Sequence, residues 1–282
     1  MSRFNESLIT EFKNLIDSEN KNENDIQKFL EDNTELIPLP WRLNHGLHFN
    51  VVISKLRIGG GYITDFAYLT KSSDIWELVL VELEDSKKNI FLKNNENIKF
   101  SREFNHAYDQ IMEWKSYIND NKQDVLKTIN ILRTPLSKNM VKVKYVLIIG
   151  RNKEKDNCER RRRMFAGKSS DDVKVMTYDS LISTYKNNDY QTNKLILSQW
   201  REGFEVKFVP DKLSSNIFAY IAPEHLKIKD EQIEKLKKQD YQMDRWLSGS
   251  FLTVNQKYDD ETFANITTNP LFKAVLRSKE KK

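Results

Sequence analysis

Two hydrophobic periods organise this chain. From Ile75 to Leu83 apolar residues run almost without interruption, through Trp76, Leu78, Val79, Leu80 and Val81. Such a run predicts a strand buried on both faces. Between residues 101 and 118 the period changes to that of a helix, with Phe104, Ala107, Tyr108, Ile111, Trp114 and Ile118 on one stripe and Ser101 placed to cap it. The same reading predicts helices over 5–17 and 22–32, with Pro38 and Pro40 ending that segment before the sheet begins. A strand over 48–57 meets Gly59-Gly60-Gly61, a tight turn into 62–70. Helices over 101–119 and 121–131, a strand at 142–149, a basic helix, a strand at 172–177 and helices across 179–200 complete an α/β core. Past about residue 205 two strand-like stretches, F-E-V-K-F-V and N-I-F-A-Y-I, flank Pro210, and a charged helix follows from Asp230 to Trp246. The chain therefore divides, on sequence, into residues 1–204 and a smaller α+β accessory or oligomerisation region over 205–282.

Charge changes the picture more than length does. The 282 residues suffice for one large domain or two ordinary ones. A charged content of 31% with a mean hydropathy of −0.67 predicts a heavily ionised surface, and no apolar stretch approaches the length of a membrane span. The N-terminus lacks the apolar stretch of a signal peptide, and a single cysteine, Cys158, suits a reducing compartment, so a cytoplasmic protein is expected. The net charge of +5 favours polyanion partners without demanding them. Arg160, Arg161, Arg162, Arg163 and Lys168 crowd one segment, suited either to phosphate contact or to a solvated helix face. His45 and His48 have metal-like spacing, but no cysteine or acidic cluster joins them, which favours a structural role.

The candidate chemistry lies in the acidic residues. Asp65 falls in one strand-like run, and the next ends in Glu82-Leu83-Glu84. In a hairpin these carboxylates can meet, and carboxylates in an apolar setting call for a counter-charge, ordinarily Mg²⁺. Spacing alone fits equally well a strand end that faces solvent. Downstream, His106, Gln110 and Trp114 recur every four residues along the helical stripe.

Asp65, the strand ending in Glu82-Leu83-Glu84 and the H-x-x-x-Q-x-x-x-W helix together resemble the PD-(D/E)XK nuclease superfamily, and within it the Shedu antiphage defence nucleases. Glu23-Asn-Asp-Ile-Gln-Lys-Phe-Leu-Glu-Asp-Asn33 is similar to that family's opening helix, Tyr145-Val-Leu-Ile-Ile-Gly-Arg151 to its core strand, and Met176-Thr-Tyr-Asp-Ser-Leu-Ile182 to its closing segment. The resemblance covers about residues 20–185. It implies a restriction-endonuclease-like core, a central mixed sheet flanked by helices. It also implies a metal-dependent DNA endonuclease in bacterial antiphage defence, with a homo-oligomer, dimer or tetramer, as the working form. Asp65, Glu82 and the Leu83 carbonyl would hold Mg²⁺ or Mn²⁺, Glu84 would accept a proton from water, Gln110 would position water or phosphate, and Glu23 would reach in from the opening helix. The superfamily's usual lysine two residues after the second acid is Glu84 in this chain, with Lys87 and Lys88 close enough in sequence to supply a cation. That departure keeps open a catalytically degenerate core that senses nucleic acid and recruits a partner. RNA is the other open substrate.

Overall fold

The computed structural model describes residues 4–252 apart from 94–96, 135, 157 and 188–192. Residues 253–282, the end of the expected accessory region, lie outside the described residues.

Two helices open the chain, α1 (Glu6–Asp17) and α2 (Glu23–Asp32). Each is capped by an asparagine side chain: Asn5 accepts from Ser7 N and Leu8 N, and Asn22 forms a reciprocal box with Asp25. The strands are β1 (Leu47–Ser54), β2 (Arg57–Gly59), β3 (Tyr62–Ile63), β4 (Phe66–Lys71) and β5 (Ile75–Leu83). A long helix α3 (Arg102–Thr128) leads to β6 (Met140–Ile148), α4 (Glu159–Ala166), β7 (Val173–Met176) and α5 (Tyr178–Asn187). β8 (Leu195–Trp200), β9 (Gly203–Phe208), β10 (Leu226–Lys227), α6 (Asp230–Lys237) and α7 (Met243–Leu247) follow.

Eight of the strands form one mixed sheet in the order β10-β9-β8-β1-β4-β5-β6-β7. The antiparallel pair β4 and β5 is held in register from Phe66 opposite Val81 to Lys71 opposite Trp76, and β5 continues into parallel pairing with β6. The central position of β5 explains its near-continuous apolar run, since both of its faces meet core. On one face lies a core built with α3 and the C-terminal segment, including Leu80, Phe104, Trp114, Phe218 and Trp246. On the other, α1, α2 and α5 bury Phe12, Leu30, Val81 and Tyr178. The architecture is thus a mixed α/β sheet with helices on both sides.

Several expected elements differ. Residues 195–200 form strand β8, not the end of a helix. They pair in parallel with β1, and Leu195, Ile196 and Leu197 are buried on both faces, so no alternation marks them. The stretch Asn216–Ile221 contains a 3-10 turn at Ile217–Ala219 rather than a strand. The expected helix from Asp230 to Trp246 breaks between α6 and α7, where Asp240 has φ 68°. The two helices expected between 101 and 131 are joined in α3, kinked at Asn121, whose side chain donates to the Tyr117 carbonyl. The glycine turn belongs to a separate small ribbon, β2–β3, that projects between β1 and β4.

Position 204/205, where the sequence changes character, lies inside β9. Tyr241 and Trp246 pack edge-on against Phe218, and the Trp246 indole donates to the Ile221 carbonyl at 2.9 Å. Phe251 is exposed. His48 meets Trp76 edge-on, and burial, with Lys71 and His45 nearby, pushes its imidazole down to about 3, in keeping with a packing role.

Candidate functional site

The pairing of β4 with β5 decides where the acidic residues meet. Asp65 precedes β4 by one residue, and its N–H donates to the Val81 carbonyl at 3.1 Å. One Asp65 carboxylate oxygen, Oδ2, accepts from Leu83 N at 2.6 Å, and the other, Oδ1, takes the Lys55 ammonium at 2.5 Å. Asp65 is therefore locked against the end of β5, beside Glu82 and Glu84. All three are buried. From the other face α2 brings Glu23 into electrostatic reach of Asp65 and Glu84.

Glu82 is the most strained of these groups. Gln110, from α3, donates its amide to Oε1, while Oε2 is buried without a partner among the described residues. Burial pushes the Glu82 carboxyl up to about 10, and the charges of Asp65, Glu84 and Glu23 add to the push. Glu23 rises to about 7 for the same reasons in the same order, burial first and then Asp65 and Glu84, with Lys88 and Lys55 pulling it back. Glu84 is bound by Lys88, four residues on, while Lys87 turns away to the carbonyls of Glu19 and Lys21. A lysine ammonium thus reaches Glu84 from the following loop. Tyr178 backs the cluster, its hydroxyl buried and without a partner among the described residues. Its pKa is raised by burial and by Glu23 and Asp65.

The structure brings together Asp65, Glu82, Glu84, Gln110 and Glu23. The basic residues divide. Helix α4 follows β6, which runs parallel to β5, so it starts from the same end of the sheet as the carboxylates. Arg160, Arg162 and Arg163 are exposed there. Arg161 instead donates to the carbonyls of Glu154 and Leu92, and Lys168 lies over Tyr108 at 4.4 Å and Phe100 at 5.0 Å.

Lys55, Tyr178, Gln27 and Glu31 are given no site role by the sequence, although the last three lie within its opening-helix and closing motifs. Gln27 and Glu31 continue the α2 face one and two turns beyond Glu23, and that four-residue spacing was visible. Gln27 donates at 3.4 Å to both the Asp65 carbonyl and Glu31. Glu31 Oε1 also accepts from Ser54 at 2.5 Å and from Lys207, on β9, at 2.7 Å. Nothing in the sequence linked Lys55 to Asp65. Its position depends on β1 turning away at Lys55, where φ is 53°.

The donors are hard oxygens, the kind that suits Mg²⁺ or Mn²⁺, and the partnerless Glu82 oxygen fits a cation. Among the described residues, no three His, Cys, Asp or Glu side chains stand together as a ready-made metal cage. No helix among those residues is long and apolar enough to cross a membrane.

Fold and site define an α/β protein with a buried carboxylate cluster at the edge of a central strand pair. A family model described as the Shedu protein SduA, C-terminal, matches residues 20–182, and the chain belongs to that family. Membership implies a role in antiphage defence. No curated protein matches the chain.

Proposed function

We propose that this chain is a metal-dependent DNA endonuclease of PD-(D/E)XK type that acts in antiphage defence. The observation that carries the reading is the convergence of Asp65, Glu82, Glu84 and Glu23, with too little positive charge among them to offset their repulsion. Buried like charges of this kind mark functional sites more often than structural ones.

Asp65, Glu82 and the Leu83 carbonyl would hold Mg²⁺ or Mn²⁺. The ion, when bound, supplies charge neutralisation at the phosphate and makes water more acidic. Lys55 and the Leu83 N–H hold Asp65 in one orientation. Gln110 fixes Glu82 through its amide and would position a water or phosphate beside that carboxylate. Glu84, held by Lys88, accepts the proton released by attacking water, and the Lys88 ammonium stabilises the charge that builds on the phosphate. The exposed arginines of α4 guide the DNA backbone. DNA is the proposed partner, in a cytoplasmic homo-oligomer.

Two observations favour a second reading. Glutamate stands where the superfamily's lysine is expected, and the described acidic groups are not gathered as a cage. A degenerate core that binds nucleic acid and recruits a partner accounts for both.

Supercoiled plasmid, linear duplex, single-stranded DNA and RNA, each with and without Mg²⁺ or Mn²⁺, separate the readings. The nuclease predicts metal-dependent nicking or cutting of DNA. Binding without cleavage of any substrate under any metal contradicts it and supports the sensor.

A further inference from the structure

The β2–β3 ribbon and α3 enclose a groove of about 470 Å³ lined by Tyr62, Ile63, His106, Asp109, Gln110 and Glu113. Gln110 links it to the carboxylates, since the amide that lines the groove donates to Glu82. The ribbon is fixed against the helix. A Cβ on Gly59 would fall 2.4 Å from the Tyr117 hydroxyl oxygen, and one on Gly60 would fall 2.7 Å from the same ring, so both positions need glycine. Both also have positive φ, 95° and 59°. Tyr62 meets Tyr117 at 5.5 Å and 63° and stays half-buried beside the groove, while Ile63 next to it is 44% exposed.

The charge of this wall indicates what it accepts. Asp109 and Glu113 are exposed on α3 and repel a phosphate. Carboxylates do accept hydrogen bonds from the amino groups of cytosine and adenine, and a tyrosine face stacks on any base. Ile63, opposite Arg57 at the base of the ribbon, adds an exposed apolar surface beside the tyrosine.

We propose that this groove holds one nucleobase of the substrate strand, unstacked from its neighbours, beside the phosphate to be cut. The inference rests on the nuclease reading for the adjoining chemistry, and its own content is the base. Pulling a base from a duplex is costly, least so where it is already unpaired. Phosphates flanking an unpaired base are therefore the preferred targets, with amino-bearing bases ahead of thymine.

The test compares a fully paired duplex with duplexes carrying one unpaired cytosine, adenine or thymine, in Mg²⁺ with the full chain. Cleavage beside the unpaired base is expected to be at least about tenfold faster than at paired positions. Cytosine and adenine should exceed thymine by about threefold. Tyr62→Ala should lose the advantage of the unpaired base. Asp109→Ala with Glu113→Ala, both on the exposed face of α3, should level the three bases without changing thermal unfolding. A 2-aminopurine at the unpaired position reads base capture apart from cleavage: its emission should change on binding the wild type and not on binding Tyr62→Ala. Equal cutting of paired and unpaired positions overturns the inference, as does an emission change that survives Tyr62→Ala. Capture without cutting of any substrate supports the groove and overturns the nuclease reading, and capture failing while cutting proceeds does the reverse.

Discussion

Glu82 and Glu31 are about equally buried, at 8% and 7% exposure, and lie on opposite sides of the Asp65 segment, yet they are treated in opposite ways. Glu31 is enclosed by donors: Ser54, Gln27 and the Lys207 ammonium all converge on one of its oxygens. Glu82 has one amide donor, an oxygen with no partner among the described residues, and three acidic neighbours. A buried carboxylate supplied with donors and a cation is a structural tie. One left short among like charges is strained, and strain of that kind persists where it serves a ligand.

The Glu31 network also shows how the region beyond residue 204 bears on the site. Lys207 reaches from β9 to α2, and the same helix face carries Glu23 into the carboxylate cluster and Gln27 to the Asp65 carbonyl. The tie at Glu31 therefore holds the helix that completes the acidic cluster.

The largest expected difference between the two carboxylates is catalytic. Glu82→Ala or Asp65→Ala should lower DNA cleavage by about a thousandfold or more, measured on plasmid in Mg²⁺, and in Glu82→Ala thermal stability is kept or raised because repulsion is relieved. Glu31→Ala should do the opposite. Leaving the Ser54 hydroxyl and Lys207 without their acceptor should cost about 2 kcal/mol in a denaturant melt, while activity falls by much less than for Glu82→Ala. Loss of all cleavage in the Glu31 variant at full stability would break the distinction.

The next effect is in pH. Below about 4.5 these carboxyls are protonated in folded and unfolded chains alike. Above that, the unfolded chain has lost protons that Glu23 keeps to about 7 and Glu82 to about 10. The folded state thus binds more protons across the window, so metal-free stability falls as pH rises through it. Thermal melts from pH 5 to 9 without divalent ions should show the decline, and Glu82→Gln should flatten its upper part. The smallest effect is expected at the arginines. Arg160→Ala with Arg162→Ala should weaken DNA binding about three- to tenfold on every sequence and lower the log–log salt slope by about 1 to 2.

Local patterns were legible in the sequence, and distant pairings were not. The apolar run of β5 and the stripe of α3 announced a buried strand and the helix that covers it; Asp65 and Glu82 stood out as acids beside that strand, and the roles of all three, Gln110 included, came from the family resemblance. β8 was hidden because its partner, β1, lies far away in sequence, and a six-residue strand buried on both faces has no alternation to betray it. Lys55 and Lys207 were hidden for a related reason. Each is one lysine among many, given its role by an acid that only the folded sheet brings near. Lys88 was within reach of the sequence because it lies four residues from Glu84.

The most direct test of the central claim is thermal unfolding at pH 8 with and without Mg²⁺, for the wild type and Glu82→Gln. If the Glu82 shortfall marks a cation site, the wild type gains several degrees with Mg²⁺, while the variant starts higher and gains almost nothing. Equal gains in both proteins, or none in the wild type, would contradict it.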